Sequence, residues 1–340
     1  MNARSMNFTV VIPSRNRPAL LEDAVRSVLA QTHPSFEIVI VNDGSDTQHA
    51  ADYARIVGLS ERIRLIDLEF TRNGHGPSYA INRGAELARG EYLCFLDDDD
   101  SWTDPAHLER AWQSLSSASQ PVDLYISNQK AFVGERPVEE PLWLESLAPA
   151  IRRHAPADKQ GTYPVELEHL MCLHGFPHLN NTIVRRSLYE AIGGMDENIR
   201  YECEWDLYFR LADRAAGIRY YPGFVSRHNV PDKSKTANAS TAVGNLQKLL
   251  FRATVMDKAL LFARSPAIRR AAVHIKAITF KHLATTLAAN GRPRESFLYA
   301  CQALGLEFGF KWLLYCGYLG LRALKHRLFS KTIPPERGTP

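Results

Sequence analysis

No apolar run in this chain is long enough to cross a bilayer. The most apolar stretch, Trp312 to Leu321, falls well short of the ~20 residues a spanning helix needs. Cysteine is scarce. Cys94, Cys172, Cys203, Cys301 and Cys316 are odd in number, scattered and without metal-ligand spacing, which fits a reducing compartment and argues against a disulfide framework. Neither sign of charge dominates: 41 basic residues face 37 acidic ones, a net charge of +4, so nothing in the balance calls for nucleic acid. Met1 to Asn7 has no apolar core, so no signal peptide is expected. Internal repeats and low-complexity tracts are absent. An ordinary globular composition remains, 45% apolar over 340 residues, enough for one large or two medium domains.

Against that plain background one stretch stands out, Glu91-Tyr92-Leu93-Cys94-Phe95-Leu96-Asp97-Asp98-Asp99-Asp100. A short apolar run enters four carboxylates directly. The run is short enough for a buried strand and too short for a helix. Open α/β sheets bind ligands at the carboxyl ends of their strands, where this cluster falls. Four adjacent carboxylates repel one another and favour a cation, and hard ions such as Mg²⁺ or Mn²⁺ take oxygen ligands from carboxylates and substrate phosphates. A solvated acidic loop is the plain alternative.

The rest of the N-terminal half alternates strand and helix. Phe8 to Pro13 reads as a strand closed by Pro13, and Pro18 opens a helix carrying Leu20, Leu21, Ala24, Val25, Val28 and Leu29. Phe36 to Val41 is a second strand, ending in the turn cluster Asn42 to Asp46. A third runs Ile63 to Leu68, and a helix spans about Ser78 to Ala88. Such alternation implies βαβ units and a mostly parallel sheet. Polar residues gather after each strand, at Arg15 and Asn16, Asp43, and Asp97 to Asp100, so they converge on one sheet edge. The loop Asn73 to Pro77 lacks both dinucleotide-binding glycine spacing and a Walker lysine, which leaves a plain turn or a helix N-terminus open to anions.

Further along, strands are expected at Val122 to Ser127, Lys130 to Val133 and Ile218 to Pro222, with a long excursion from Glu135 to Gly161. His174 and His178 flank a Gly-Phe-Pro turn and read as surface histidines. Glu202, Glu204 and Asp206 open a helix, as dipole partners or as a general base. Beyond about Pro231 the chain reads as three helical segments, Asn245 to Ala263, Pro266 to Asn290 and Arg294 to Phe329. The last mixes Trp312, Leu313, Tyr315, Tyr318 and Leu321 with Lys311, Arg322, Lys325 and Arg327, a composition that suits a membrane interface or a packed helix.

In combination the sequence resembles an inverting family 2 glycosyltransferase of the GT-A fold. The matching stretches are Val10 to Asn16, Val41 to Ser45, Gly90 to Asp100, Gly193 to Glu197, Glu204 to Leu207, and His228, in the family's order and spacing over about residues 8 to 230. The resemblance implies an α/β, Rossmann-like, mostly parallel sheet flanked by helices in residues 1–235; it does not extend to the C-terminal helical region, 236–340, which is read from the sequence pattern alone. It implies that Pro13, Arg15 and Asn16 border a nucleotide pocket and that Asp43 contacts the base or ribose. Asp97 and Asp99 form the D-x-D motif, Asp99 as the direct metal ligand and Asp98 nearer the ribose or sugar. His228 completes the metal or diphosphate site, with Mn²⁺ or Mg²⁺ as the ion. Where the family usually has Glu-Asp before Trp, this chain has Cys203-Glu204, so Glu204 stands as catalytic base with Asp206 as fallback. Where the family often has Arg before Asn, Ile81 precedes Asn82, which leaves the diphosphate contact to Asn82 or Arg83. A nucleotide-sugar donor, a glycan or lipid-linked acceptor, no nucleic acid, and a cytoplasmic place at the inner face of the plasma membrane complete the expectation. The rival classes are a sugar-phosphate nucleotidyltransferase and a non-enzymatic Ca²⁺-binding module.

Overall fold

A computed structural model describes residues 6–172, 175–231 and 243–329. They fall into two units, 1–241 and 242–340. The boundary expected at 235/236 lies outside the described residues.

In the first unit the chain runs β1 (Phe8–Ser14), α1 (Pro18–Leu29), β2 (Phe36–Asn42), α2 (Ala50–Val57), β3 (Ile63–Asp67), α3 (Pro77–Glu86) and β4 (Tyr92–Phe95). It continues through β5 (Ser101–Trp102), α4 (His107–Ser116), β6 (Leu124–Val133), β7 (Arg136–Pro137), α5 (Leu147–Ile151), β8 (Tyr163–Pro164), α6 (Leu167–Met171), β9 (Thr182–Arg185), α7 (Arg186–Ala191), α8 (Cys203–Arg214) and β10 (Ile218–Asn229). The strands form one sheet in the order β3-β2-β1-β4-β9-β6-β10-β5, with β7 on β6 and β8 on β10. The parallel pairings β1/β2, β2/β3, β1/β4 and β6/β10 are the long ones, while each antiparallel pairing covers two or three residues.

β1 is buried along almost its whole length rather than alternating, as a central strand covered on both faces must be. Its neighbours explain Pro13. The Val11 carbonyl accepts from Leu96 N–H on the β4 side, and Pro13, two residues on, faces the same side just past the end of β4. Its missing N–H therefore costs no ladder bond, and the strand continues one residue further, to Ser14. β2 and β3 lie on one side of β1 and β4 on the other, so the chain reverses direction across the sheet between β1 and β4. The carboxyl end of such a switch point is where open α/β sheets leave a crevice.

Two strand expectations change. Val122–Ser127 and Lys130–Val133 are one strand, β6, because Asn128 and Gln129 are buried with partners rather than turning the chain. Asn128 Nδ2 donates to the Tyr220 hydroxyl and the Pro222 carbonyl, and Gln129 Oε1 accepts from Asn180. β10 likewise runs on past Pro222 to Asn229, absorbing Pro222 and Gly223 in register shifts on either side of Phe224. That continuation carries His228 to the sheet edge.

The second unit consists of α9 (Asn245–Phe262), α10 (Pro266–Ala289), α11 (Pro293–Leu306) and α12 (Phe310–Phe329). The last segment, expected as one helix, breaks into α11 and α12 where Glu307 turns extended ahead of Gly309. Trp312 Nε1 and Cys316 Sγ on α12 both donate to the Ala300 carbonyl of α11. No described helix is long and apolar enough to cross a membrane.

Candidate active site

The four carboxylates after β4 have four different surroundings. Asp100 is buried and fully engaged: it accepts from Asn180 Nδ2 at 2.6 Å, His228 Nδ1 at 2.7 Å and Asn229 N–H at 2.7 Å. It ties the acidic turn to the end of β10. Asp98 is also buried and pairs with Arg17, whose Nε donates at 3.1 Å. Burial pushes the Asp98 carboxyl up to about 7 against the pull of Arg17. Asp99 lies at the rim and accepts from Arg17 Nη1 at 2.8 Å. Asp97 is held well above the ordinary carboxylate range by burial first, then by Asp100, Asp99 and Glu204. Oxygens of Asp97, Asp99 and Asp100 lie within 4.8 Å of one another.

This donor set fits a hard divalent ion. Asp100 spends its oxygens on the fold, so Asp97 and Asp99 would hold the ion. His228 Nδ1 donates to Asp100, which turns Nε2 into the free ring nitrogen, an arrangement common to metal-binding histidines. Burial alone would lower the His228 basicity, but the Asp100 hydrogen bond and the Asp99 and Glu204 charges outweigh it and raise it. A cation beside Asp97 relieves the crowding of like charges.

Across from the acidic turn, a cleft of about 360 Å³ is lined by Asp97, Asp99, Trp143, His178, Glu204 and His228 among others. Glu204 sits in the first turn of α8, accepting from Leu179 N–H at 3.3 Å. His178 Nε2 lies 3.5 Å from Glu204 and 3.9 Å from Asp97. His178 Nδ1 accepts from Asn180 N–H, so the ring proton faces Glu204, and burial keeps the ring below its usual basicity. The expectation of a surface histidine fails here: His178 is buried. Trp143 holds its ring nearly perpendicular to those of His178 and His228, with centroids 5.8 Å and 5.4 Å away. Its backbone is left-handed, φ 50°, and its carbonyl packs on Gly175, where any Cβ would come within 1.9 Å.

Asp206 is not in the cleft. Two residues along a helix turn the side chain by about 200°, and Asp206 is fully buried against Arg210, with Nε at 2.8 Å and Nη2 at 2.5 Å. Arg210 in turn donates to the carbonyls of Ile192 and Gly194. The fallback base is a structural ion pair.

The expected donor-side residues cluster at the ends of β1 and β2, next to but not lining that cleft. Asp43 is buried and accepts from His75 N–H, Gly76 N–H and His75 Nδ1, all within 3.0 Å. The glycine loop thus donates to a carboxylate of its own chain. Gly74 lets it close, since a Cβ there would meet Asp43 Oδ2 at 2.6 Å. Arg15 holds the same loop through the Thr71 and Arg72 carbonyls, at 2.7 Å and 3.1 Å. Asn16, at φ 56°, accepts from Asp46 N–H, and Pro13 lies beside them, one residue before the end of β1. Two expectations are corrected. Asn82 is committed to the fold, bonding Tyr189, Met195 and Glu197 with both ends of its amide. Arg83 points along α3 to Glu86 and over the Tyr79 ring. Neither faces the acidic turn, whereas Arg17, unassigned from sequence, does.

Residues 9–165 match the family model for glycosyl transferase family 2. Over that stretch, a little under half of its length, the chain is similar to this family. It is 37% identical over 117 residues to the amylovoran biosynthesis glycosyltransferase AmsB of Erwinia amylovora, a match covering 33% of this chain and 36% of AmsB. The chain spans about a third of the length of the curated relatives it matches at this identity. Among solved structures it resembles S. aureus TarS 1-349 in complex with UDP-GlcNAc, with TM-score 0.63, 16% identity, and 88% and 81% of the two chains covered. It also resembles the mannosyltransferase PcManGT from Pyrobaculum calidifontis in complex with GDP-Man and Mn²⁺, with TM-score 0.58, 17% identity, and 96% and 88% covered. At these identities the likeness establishes a shared GT-A fold.

Proposed function

We propose that this chain transfers a sugar, with inversion, from a nucleotide-diphospho-sugar to an acceptor hydroxyl in the making of a polysaccharide or other glycoconjugate. The observation that carries the reading is the meeting of Asp97, Asp99, His228 and Glu204 around one cleft. Asp97, Asp99 and His228 would hold Mn²⁺ or Mg²⁺, with Asp98 beside the ribose or sugar. Bound there, the ion supplies Lewis-acid neutralisation of the departing diphosphate. Pro13, Arg15, Asn16 and Asp43 border the nucleotide end, where the β1 and β2 termini meet the glycine loop.

Glu204 takes the proton of the acceptor hydroxyl. The freed oxygen forms its bond to the anomeric carbon as the bond from that carbon to the diphosphate oxygen breaks, the electron pair leaving with the nucleoside diphosphate. Attack on the face opposite the leaving group inverts the anomeric centre. His178 and Leu179 N–H keep Glu204 oriented toward the cleft. Trp143 and Phe176 give the cleft apolar walls.

The second unit supports a peripheral place on the inner membrane face, suited to a lipid-linked acceptor. On α12, Phe310, Leu314, Tyr318, Leu321 and Leu328 are exposed on a helix bearing Lys311, Arg322, Lys325 and Arg327 and no acidic residue. Cosedimentation with phosphatidylglycerol vesicles, but not with phosphatidylcholine vesicles, is the expected behaviour. Equal recovery with both removes the contact.

Incubation with a panel of nucleotide sugars and Mn²⁺ should release free nucleoside diphosphate in the presence of a saccharide acceptor. Pyrophosphate release would indicate a nucleotidyltransferase instead, and Ca²⁺ binding without turnover would indicate a non-enzymatic module.

A further inference from the structure

The acidic turn already contains a cation, the Arg17 guanidinium. Arg17 ends the loop after β1, at the position just before Pro18 opens α1. From there it crosses the switch point to Asp98 and Asp99, donating Nε to Asp98 at 3.1 Å and Nη1 to Asp99 at 2.8 Å. A planar guanidinium with its donors in a fixed fork suits two adjacent carboxylates better than an ammonium would. Asp98 is buried while Asp99 is 23% exposed, so the two arms differ. The arm on Asp98 keeps a buried carboxylate company. The arm on Asp99 occupies an oxygen at the rim, on the residue best placed to hold a divalent ion together with Asp97.

We propose that Arg17 is a built-in counter-cation that competes with the divalent ion for Asp99, keeping its hold on Asp98 when the ion displaces it. The inference rests on the metal-assisted reading above. A doubly charged ion at Asp99 stands a few Å from a fixed positive charge and is opposed by it at any effective dielectric. The ion therefore binds best when a substrate diphosphate brings negative charge with it. Without the ion, Arg17 prevents the acidic turn from springing apart.

Titration with Mn²⁺ alone, followed by the electron paramagnetic resonance signal of the free ion, tests this. The wild-type chain binds Mn²⁺ weakly, Arg17→Met binds it about tenfold more tightly, and Arg17→Lys, which keeps the charge, stays within about threefold of wild type. Equal or weaker binding by Arg17→Met overturns the proposal, as does an Arg17→Lys that matches Arg17→Met. No Mn²⁺ binding by wild type or Arg17→Met, with or without a nucleoside diphosphate present, overturns the metal-assisted reading as well, whereas binding that Arg17→Met does not tighten overturns the competition alone. Arg17→Met leaves Asp98 buried without its partner, so a second measurement uses the wild type only. Arg17 is 41% exposed and open to phenylglyoxal. Its labelling, mapped by peptide mass, quickens severalfold in saturating Mn²⁺ as the Asp99 arm is released; unchanged or slower labelling contradicts the competition.

Discussion

Glu204 and Asp206 share one helical turn and have opposite fates. Glu204 faces the cleft beside His178, and Asp206 is buried in a pair with Arg210. Substitution should separate them. Glu204→Gln is expected to keep donor affinity and lose roughly 10²–10⁴ in turnover, the usual worth of a general base. Asp206→Asn is expected to keep turnover per folded molecule and lose roughly 3–5 kcal/mol of stability, because Arg210 is left buried and uncompensated. Steady-state rates with thermal melts on both variants check this, and the reverse pattern moves the base to Asp206. Asp97 to Asp100, Asp43 and Glu204 could be singled out in the sequence because each follows a strand or opens a helix, whereas His228, inside β10, stood out only through the family resemblance. Arg17, His178 and Trp143 could not be singled out. Arg17 meets its carboxylates 81 and 82 residues away, and His178 becomes a site residue only because Glu204, Asp97 and Trp143 close around it.

At the scale of elements, the site depends on how flush α3 lies on the sheet. Gly84 faces β1 and β2 from mid-helix, where a Cβ would stand 2.4 Å from Val11 Cγ1 and 3.1 Å from Val41 Cγ2. Gly84→Ala is expected to cost roughly 1–3 kcal/mol by overpacking, despite the better helix propensity of alanine. Urea unfolding at neutral pH measures it; an unchanged or raised midpoint would mean that the helix can lift off without penalty. Strand and helix alternation was readable up to β4, because apolar runs there are bounded by turn residues. The extents of β6 and β10 were not, because Asn128, Gln129, Pro222 and Gly223 look like breaks until their partners across the sheet are known.

At the scale of the whole molecule, acid should weaken the first unit through a residue outside the chemistry. His107 is buried between the Trp102 and Tyr125 rings, and neither ring nitrogen has a hydrogen-bond partner among the described residues. Burial pushes its basicity down to about 3, against about 6.5 for an unfolded histidine. Between those values only the unfolded chain takes up the proton, so stability is lost as pH falls through that window, by up to about 1.4 kcal/mol per pH unit. His107→Phe should flatten the acid limb of a stability profile between pH ~6 and ~4 relative to wild type. Parallel limbs would assign acid sensitivity elsewhere, to other titrating groups of the unit.

The proposed function requires one pocket whose carboxylates would bind a nucleotide sugar through a divalent ion. Calorimetric titration of the donor identified by product release, with Mn²⁺ and then with EDTA, tests it in wild type and Asp99→Ala. Wild type is expected to bind the donor at least tenfold more tightly with Mn²⁺, and Asp99→Ala to show no such difference. Equal donor affinity and equal metal dependence in the two proteins would contradict it.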